Sequence, residues 1–355
     1  MRQRAPWWSF VMAAVVALVA LLTPAWHKSA YGLNGLQPIS HARAAAMNAS
    51  TVAAQIDPAL VLINTDLSYQ GAVGAGTGIV LSPNGEVLTN NHVVEGATQI
   101  TATNVGTGAT YPATVVGYDR THDIAVLQLQ GAGGLPTAPI GKSSNVAVGD
   151  PVLAIGNAGG QGLSDARGTV TNLGQTIVAA DDLAAAEQLN GMIQTNANIR
   201  AGDSGGPLVD NSGQVIGIDT AASPTYRLSG RGGAQGFAIP IDTALSIASQ
   251  IESGASSGSV HIGETAMLGV GVGTSAGQAG GVPVRQVLPG SPAGQAGIVP
   301  GDVITGFDGN AVNSDTALTD LLDQHHPGAG VNVSWRDQSG QQHTADITLA
   351  TGPVG

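Results

Sequence analysis

From Thr51 to Pro240 the apolar residues come in short runs of Val, Ile, Leu and Thr, each broken by Gly, Pro, Asn or Asp. The stretches GTGIVLS, EVLTN, YPATVVGYD, DIAVLQL, PVLAIG, GQVIGIDTA and GAQGFAIP fit strands bounded by turn residues. Short strands without interleaved helices predict antiparallel barrels or sandwiches rather than a parallel sheet. A helix is expected next, in DTALSIASQIESG, where apolar residues recur near the helical period. Then comes SGASSGS, residues 253–259, with the composition of a flexible tether. Beyond it MLGVGVG and VPVRQVL read as strands. DTALTDLLDQHHPG reads as a helix with Asp315 at its N-cap and Gly328 past its end. GVNVSWRD and QQHTADITLA read as a hairpin turning at Ser339 and Gly340. The expected layout is a leader over 1–30, a flexible lead-in over 31–50, a first domain over 51–252, a linker over 253–262 and a second domain over 263–352. No solenoid-type repeat appears.

Composition narrows the classes. The 355 residues carry 12 Lys and Arg against 24 Asp and Glu, a net charge of -12, which argues against a nucleic-acid partner. There is no cysteine, so disulfides and thiolate-bound metals cannot brace the fold, and the cores must. Only 3% of the chain is aromatic, so small-residue helices and Val/Ile strands must fill those cores. The N-terminus adds a compartment. Arg2 and Arg4 precede an apolar run from Trp7 to Leu22, and no charge follows until Lys28. A basic start, an apolar centre and small residues at Thr23-Pro-Ala25 fit a secretory signal. A run of this length also suits an uncleaved membrane tether. Both place the remainder outside the cytoplasm, secreted or in the cell envelope.

The chemistry centres on RAGDSGGP, residues 200–207. A serine is not nucleophilic at neutral pH unless a neighbouring base takes its proton. Histidine is the usual base, its pKa lying near working pH. Only His92 and His122 fall within the barrel-like region, and His92 sits where EVLTNNHVVEG passes from strand to turn. A carboxylate must then orient the imidazole. Asp123 heads the apolar strand of YDRTHDIAVLQL, whereas Asp119 reads as a solvated turn residue. The order His92, Asp123, Ser204 is that of the chymotrypsin class, not of subtilisins or α/β-hydrolases. Gly202 frees the backbone to aim the N–H groups of Gly202 and Ser204 at one point, an oxyanion hole. Gly205 and Gly206 let a substrate strand pass close.

GTGIVLSPNGEVLTNNHVVEGA, YDRTHDIAVLQL, IQTNANIRAGDSGGPLVDNSGQVIGIDTA and GFAIP are similar to the HtrA/DegP serine proteases, trypsin-like double β-barrels of the bacterial envelope. MLGVGV and VLPGSPAGQAGIVPGDVITGFDGNAV resemble their PDZ domain. The resemblance spans about residues 51–350 and is nearest to the one-PDZ members of actinobacteria. It implies a mainly β fold, a chymotrypsin-like double β-barrel followed by a smaller α+β PDZ domain. It implies peptide-bond hydrolysis through an acyl-enzyme with no metal or organic cofactor. It also implies a homotrimer, and polypeptide substrates that are unfolded or have apolar C-termini. A chaperone or peptide-binding role with little proteolysis is the alternative. His92, Asp123 and Ser204 match the family triad. Ile199 and the segment Thr220, Ala221, Ala222 and Ser223 match the S1 positions, with Asn198 adding polarity at the pocket base; these imply cleavage after small apolar residues. Leu268, Gly269 and Val270 match the loop that receives a peptide carboxylate, and Leu318, Leu321 and Leu322 stand either as the groove wall or as plain core. The chain departs from the family with TNANI for TDAAI and GDSGG for GNSGG. Asp203 is the acid that digestive proteases pair with a freshly cut N-terminus, yet no IVGG-like activation site is found. Trimer-forming aromatics are scarce, and Tyr69 is the nearest candidate.

Overall fold

The computed structural model describes residues 47–179, 187–220, 235–273 and 280–355. A helix, α1 (Ala49–Ile56), leads into six strands: β1 (Leu60–Leu67), β2 (Ala72–Val80), β3 (Glu86–Thr89), β4 (Gln99–Asn104), β5 (Thr110–Asp119) and β6 (Ile124–Leu129). A one-turn helix, α2 (Asn91–Val94), follows β3. The strands pair in the order β5-β4-β1-β2-β3-β6, and β5 also pairs with β6, which closes the ring. The continuous apolar runs follow from burial on both faces. Along β6, Ala125 and Leu127 enter the barrel's interior cluster, while Ile124 and Val126 face the layer between barrels. In β3, Val87 and Leu88 divide the same way. A period of two thus feeds two cores at once.

The second barrel repeats the plan with β7 (Pro151–Gly156), β8 (Ser164–Ala179), β9 (Glu187–Thr195), β10 (Pro207–Val209), β11 (Val215–Thr220) and β12 (Gly236–Pro240). It closes in the order β10-β11-β12-β9-β8-β7. The long β8–β9 ribbon escapes a reading by alternation, because three register shifts interrupt its pairing. Helix α3 (Ile241–Glu252) then lays Ile241, Ala244, Ile247, Ala248 and Ile251 against the layer shared by both barrels. Its spacing of three and four keeps those five on one face. Asp242 in its first turn accepts from Ser144 N at 3.0 Å, and its carboxyl is held below the usual range by that bond.

The stretch expected as a flexible linker is built into the fold. Its turns are hydrogen bonded, with Ser257 N donating to Val260 O and Ser259 Oγ to Asp119. Residues 260–262 form a strand, β13 (Val260–Ile262), added to β5 of the first barrel. Under that cover Asp119 is buried, not a solvated turn residue, and it accepts from His122 N and Ser259 Oγ. The C-terminal unit contains β14 (Ala266–Met267), β15 (Val270–Val272), β16 (Val282–Val287), β17 (Val303–Phe307), β18 (Asn310–Ala311), β19 (Gly330–Arg336), β20 (Gln342–Thr348) and β21 (Ala350–Thr351). Two helices join them, α4 (Pro292–Gln295) and α5 (Asp315–Leu322). Its main sheet runs β15-β16-β17-β19-β20, around a core that includes Ile304, Phe307, Val333 and Trp335. The N-cap of α5 is Ser314, not Asp315, because the Ser314 hydroxyl reaches Ala317 N at 3.0 Å. The helix ends at Leu322, before the two histidines expected within it.

The C-terminal unit docks on the first barrel at two places. Asp323, capping α5, takes the Tyr118 hydroxyl at 2.9 Å and pairs with Arg120. His261 stacks on Tyr118 and sets Nδ1 2.8 Å from Asp323 O. Farther along, Val354 O accepts from Gly96 N at 2.7 Å, and Val354 N donates to Ala97 O at 3.0 Å. Gly96 and Ala97 lie just past α2, with Val354 packed on the first barrel's core. Val354→Asp should place a charge in that apolar seat. In the variant, hydrogen exchange at the Gly96 amide should speed about tenfold or more, while amides of β10–β12 keep their protection. Unchanged exchange at Gly96 would show that the tail does not hold this loop.

Candidate active site

Asp123 stands one residue before β6 with φ 55, a left-handed conformation that aspartate tolerates better than most residues. That turn, closed by Asp123 N to Arg120 O at 3.1 Å, aims the carboxyl back at α2. His92 Nδ1 lies 3.0 and 2.9 Å from its two oxygens, and His92 N donates to Oδ1 at 3.0 Å. Ring and backbone of the histidine are thus gripped by one carboxylate. Thr220 Oγ1 supplies a further donor at 3.3 Å, and Asn90 Nδ2 holds the Asp123 carbonyl at 2.9 Å. With its side chain 3% exposed, Asp123 is a buried carboxyl whose oxygens these donors satisfy, while the histidine remains 28% exposed. Glu95, at the end of α2, adds a second acid nearby. Burial pushes its carboxyl up, Arg120 opposes that and Asp123 reinforces it.

Ser204 arrives from the other barrel, on the loop before β10. Thr77 of β2 is the point where the barrels join. Thr77 N donates to Ser204 O, Thr77 Oγ1 donates to Gly202 O and Asn157 N donates to Thr77 Oγ1, each at 2.9 Å. Gly76 beside it leaves no room to spare. A Cβ there would stand 2.5 Å from a Val93 methyl and 3.3 Å from Ser204 O. Val93 adjoins His92, so His92 and Ser204 flank one point of β2. Gly202 has φ 96, and its missing side chain faces the Asn157 carbonyl. The carbonyl of Ala201 accepts from Gly159 N at 2.9 Å. In a trans peptide the N–H of Gly202 therefore points the opposite way.

The structure brings His92, Asp123 and Thr220 together. Thr220, expected on the substrate wall, is buried at the end of β11 and stands behind Asp123 as a hydrogen-bond donor. Ala221, Ala222 and Ser223 lie outside the described residues. Ile199 packs beside Gly236, where a Cβ would stand 2.5 Å from Ile199 Cδ1. Asn198 is exposed, and with its carbonyl oxygen toward Arg200 it accepts from Nε and Nη2 at 2.8 and 2.6 Å. In the C-terminal unit Leu268 is buried, and Gly269 has φ 83 with its carbonyl held by Leu288 N at 3.0 Å. Val270 begins β15, the edge strand of its sheet. Leu318 is core, and Leu321 and Leu322 are half-buried against it. Tyr69 is half exposed and lines a cavity of about 360 Å³ together with Met267, Leu288 and Pro292 of the C-terminal unit. Sequence reasoning missed Thr77, Asn157 and Asp219. The one signal was the threonine between two glycines of GTGIV, a spacing that permits close backbone approach.

Two barrels with a buried carboxylate–imidazole pair facing a serine loop, followed by a small sheet domain, define the class. Residues 76–218 match the trypsin-like peptidase domain and residues 266–349 match the PDZ domain. The serine protease PepD of Mycobacterium tuberculosis is 36% identical over 312 residues, 84% of this chain and 65% of that protein. The periplasmic pH-dependent serine endoprotease DegQ of Escherichia coli is 33% identical, over 81% of this chain and 61% of its own length. For the periplasmic serine endoprotease DegP of the same species the values are 36%, 70% and 51%. This chain thus spans between half and two thirds of the length of these relatives. It belongs to the HtrA/DegP family of trypsin-like serine proteases with a PDZ domain.

Thr77→Val keeps the shape of the buried side chain and deletes its hydroxyl. Asn157 N then retains only its 3.2 Å bond to Gly202 O. Urea unfolding should report a loss of about 1–3 kcal/mol. A change well under 0.5 kcal/mol would mean that this junction contributes little.

Proposed function

We propose that the chain is an extracytoplasmic serine endopeptidase in which His92, Asp123 and Ser204 form the catalytic triad. The observation that carries this is the doubly held His92–Asp123 pair opposite the Ser204 loop. In this reading Asp123 fixes the tautomer with Nδ1 protonated, so Nε2 faces the cleft as the acceptor. His92 takes the Ser204 proton as the hydroxyl oxygen attacks the scissile carbonyl, and returns it to the leaving amine. The N–H groups of Gly202 and Ser204 stabilise the oxyanion. Water, activated by the same imidazole, then releases the acyl group. Imidazolium cannot accept the serine proton, so activity belongs above about pH 6–7.

The substrates on this reading are unfolded or exported polypeptides cut after small apolar residues. Ile199 filling the space beside Gly236 supports that preference. The relatives named periplasmic support an extracytoplasmic site. Family membership supports a homotrimer. The apolar N-terminal segment, as cleaved signal or tether, lies outside the described residues, among which no helix is long and apolar enough to cross a membrane. The layout 51–252 for the protease and 263–352 for the PDZ domain is kept, with β13 assigned to the barrel it joins. Leu268, Gly269 and Val270 receive a peptide C-terminus, and the open edge of β15 extends the bound chain as a strand. A purely binding or chaperone protein would leave the carboxylate-oriented imidazole without a purpose.

Ser204→Ala should keep the fold and lower turnover of unfolded casein by roughly 10⁶-fold, with fluorophosphonate labelling abolished. Wild-type cleavage by the variant would end the proposal. The PDZ assignment has its own test. A Cβ on Gly269 would be strained by the positive φ and would meet Ser291. Gly269→Ala should therefore remove the change in casein rate that a free peptide with an apolar C-terminus produces in the wild type. A preserved response would place the peptide site elsewhere.

A further inference from the structure

Between β13 and α5 one imidazole is committed at both of its nitrogens. His261 is the middle residue of β13. Alternation sends Val260 and Ile262 into the layer between the barrels and turns His261 toward the C-terminal unit. There it is 4% exposed. Nδ1 lies 2.8 Å from Asp323 O, and Nε2 lies 3.2 Å from Glu264 O. A carbonyl oxygen only accepts, and a neutral imidazole donates from one nitrogen alone. In either neutral tautomer the second nitrogen would turn a lone pair toward a carbonyl, a buried mismatch that costs free energy. Only the imidazolium donates to both.

Two further features favour the charged ring. Asp323 caps the C-terminus of α5, so its carbonyl stands at the negative end of that helix. The ring also stacks on Tyr118, with centroids 5.0 Å apart and planes inclined by 24°, which gives a cation an aromatic face. The Tyr118 hydroxyl keeps its own proton, because burial pushes it up and Asp323 adds to the push. Arg120 pairs with the Asp323 carboxyl, whose other oxygen takes the Tyr118 hydroxyl. That ion pair is closed on itself and leaves His261 the backbone oxygens. Gly355 also comes beside Arg120, where a Cβ on it would stand 2.6 Å from Nη2. Asp119, in register with Val260, is occupied by His122 and Ser259. Glu95 acts on Arg120 and Asp323 from the end of α2, and the Glu264 side chain is exposed. His326 is the second imidazole here, its ring 5.2 Å away and tilted by 52°.

We propose that His261 is a pH-sensitive latch between the first barrel and the PDZ domain. As imidazolium it ties the end of α5 to the turn after β13, and so holds the domain against the barrel. Losing one proton cancels one of the two bonds and sets a lone pair against the carbonyl it served. Docking and protonation therefore favour each other. The latch is closed at low pH and opens as pH rises through the titration of His261. Opening frees the end of α5, while β13 stays on β5 through its backbone pairing.

The absence of cysteine allows a clean test, since thiols placed at exposed Val148 and Val299 would be the only ones in the full chain. Single-molecule energy transfer between dyes on Val148→Cys and Val299→Cys reads the distance from the second barrel to the PDZ domain. That distance should be narrowly distributed at about pH 5 and broaden toward about pH 8, the interval in which imidazoles titrate. His261→Gln, uncharged at every pH, should abolish the response, and His326→Gln should keep it. In the nitrogen NMR spectrum of the histidine rings, His261 should carry two protons at the acid end and lose one with the same midpoint. An unchanged distance, or a response that survives in His261→Gln, would overturn the latch. So would a His261 ring with a single proton at about pH 5, a reading that needs no variant to fold. None of these measurements involves Ser204, so the latch stands or falls apart from the proposed chemistry.

Discussion

Everything in this fold depends on holding the Ser204 loop of one barrel against His92 and Asp123 of the other. No covalent link joins the barrels at that point. Thr77 does it with three hydrogen bonds, to Ser204, Gly202 and Asn157, while its own carbonyl takes Thr89 Oγ1 at 2.7 Å. Such a hub works only because the barrels cannot slide. The apolar layer between them, from α1 through Leu88 and Val126 to α3, fixes their separation before any polar contact is counted. Hydrogen bonds then choose among arrangements that packing already allows.

Much of this was legible in the chain. Runs such as DIAVLQL announced strands, and the order of His, Asp and Ser announced their meeting. Alternation could not say that both faces of β6 are buried, because a run buried on both sides looks the same in either sheet type. Thr77 was easily missed for a related reason: apart from the glycines on either side, a threonine in a strand is ordinary, and its partners lie 80 and 125 residues away. Asp119 was misjudged because the strand that buries it, β13, comes from a stretch whose serines and glycines suggested a tether. Composition reports what a segment can do alone, and β13 exists only because an open edge of β5 was waiting for it.

The acidity of the chain has a structural counterpart. With twice as many acids as bases, carboxyls meet carboxyls more readily than cations. Glu86 is pushed up to about 7 by burial and by Glu252, Asp57 is raised by burial and by Asp165, and Asp219 is raised by burial and by Asp203. In each case burial and a neighbouring acid both favour the protonated form. Such sites respond to pH where a salt bridge would respond to ionic strength.

The way the PDZ domain is attached carries a mechanical consequence. The chain enters it directly from β13, hydrogen bonded to the first barrel, and leaves it through Val354, hydrogen bonded to the same barrel beyond α2. A body pinned at two points cannot swing like a ball on a string. It keeps one easy motion, rotation about the line through its pins. While both pins hold, the domain is a trapdoor rather than a lure, and its hinge line ends two residues past the helix that carries His92.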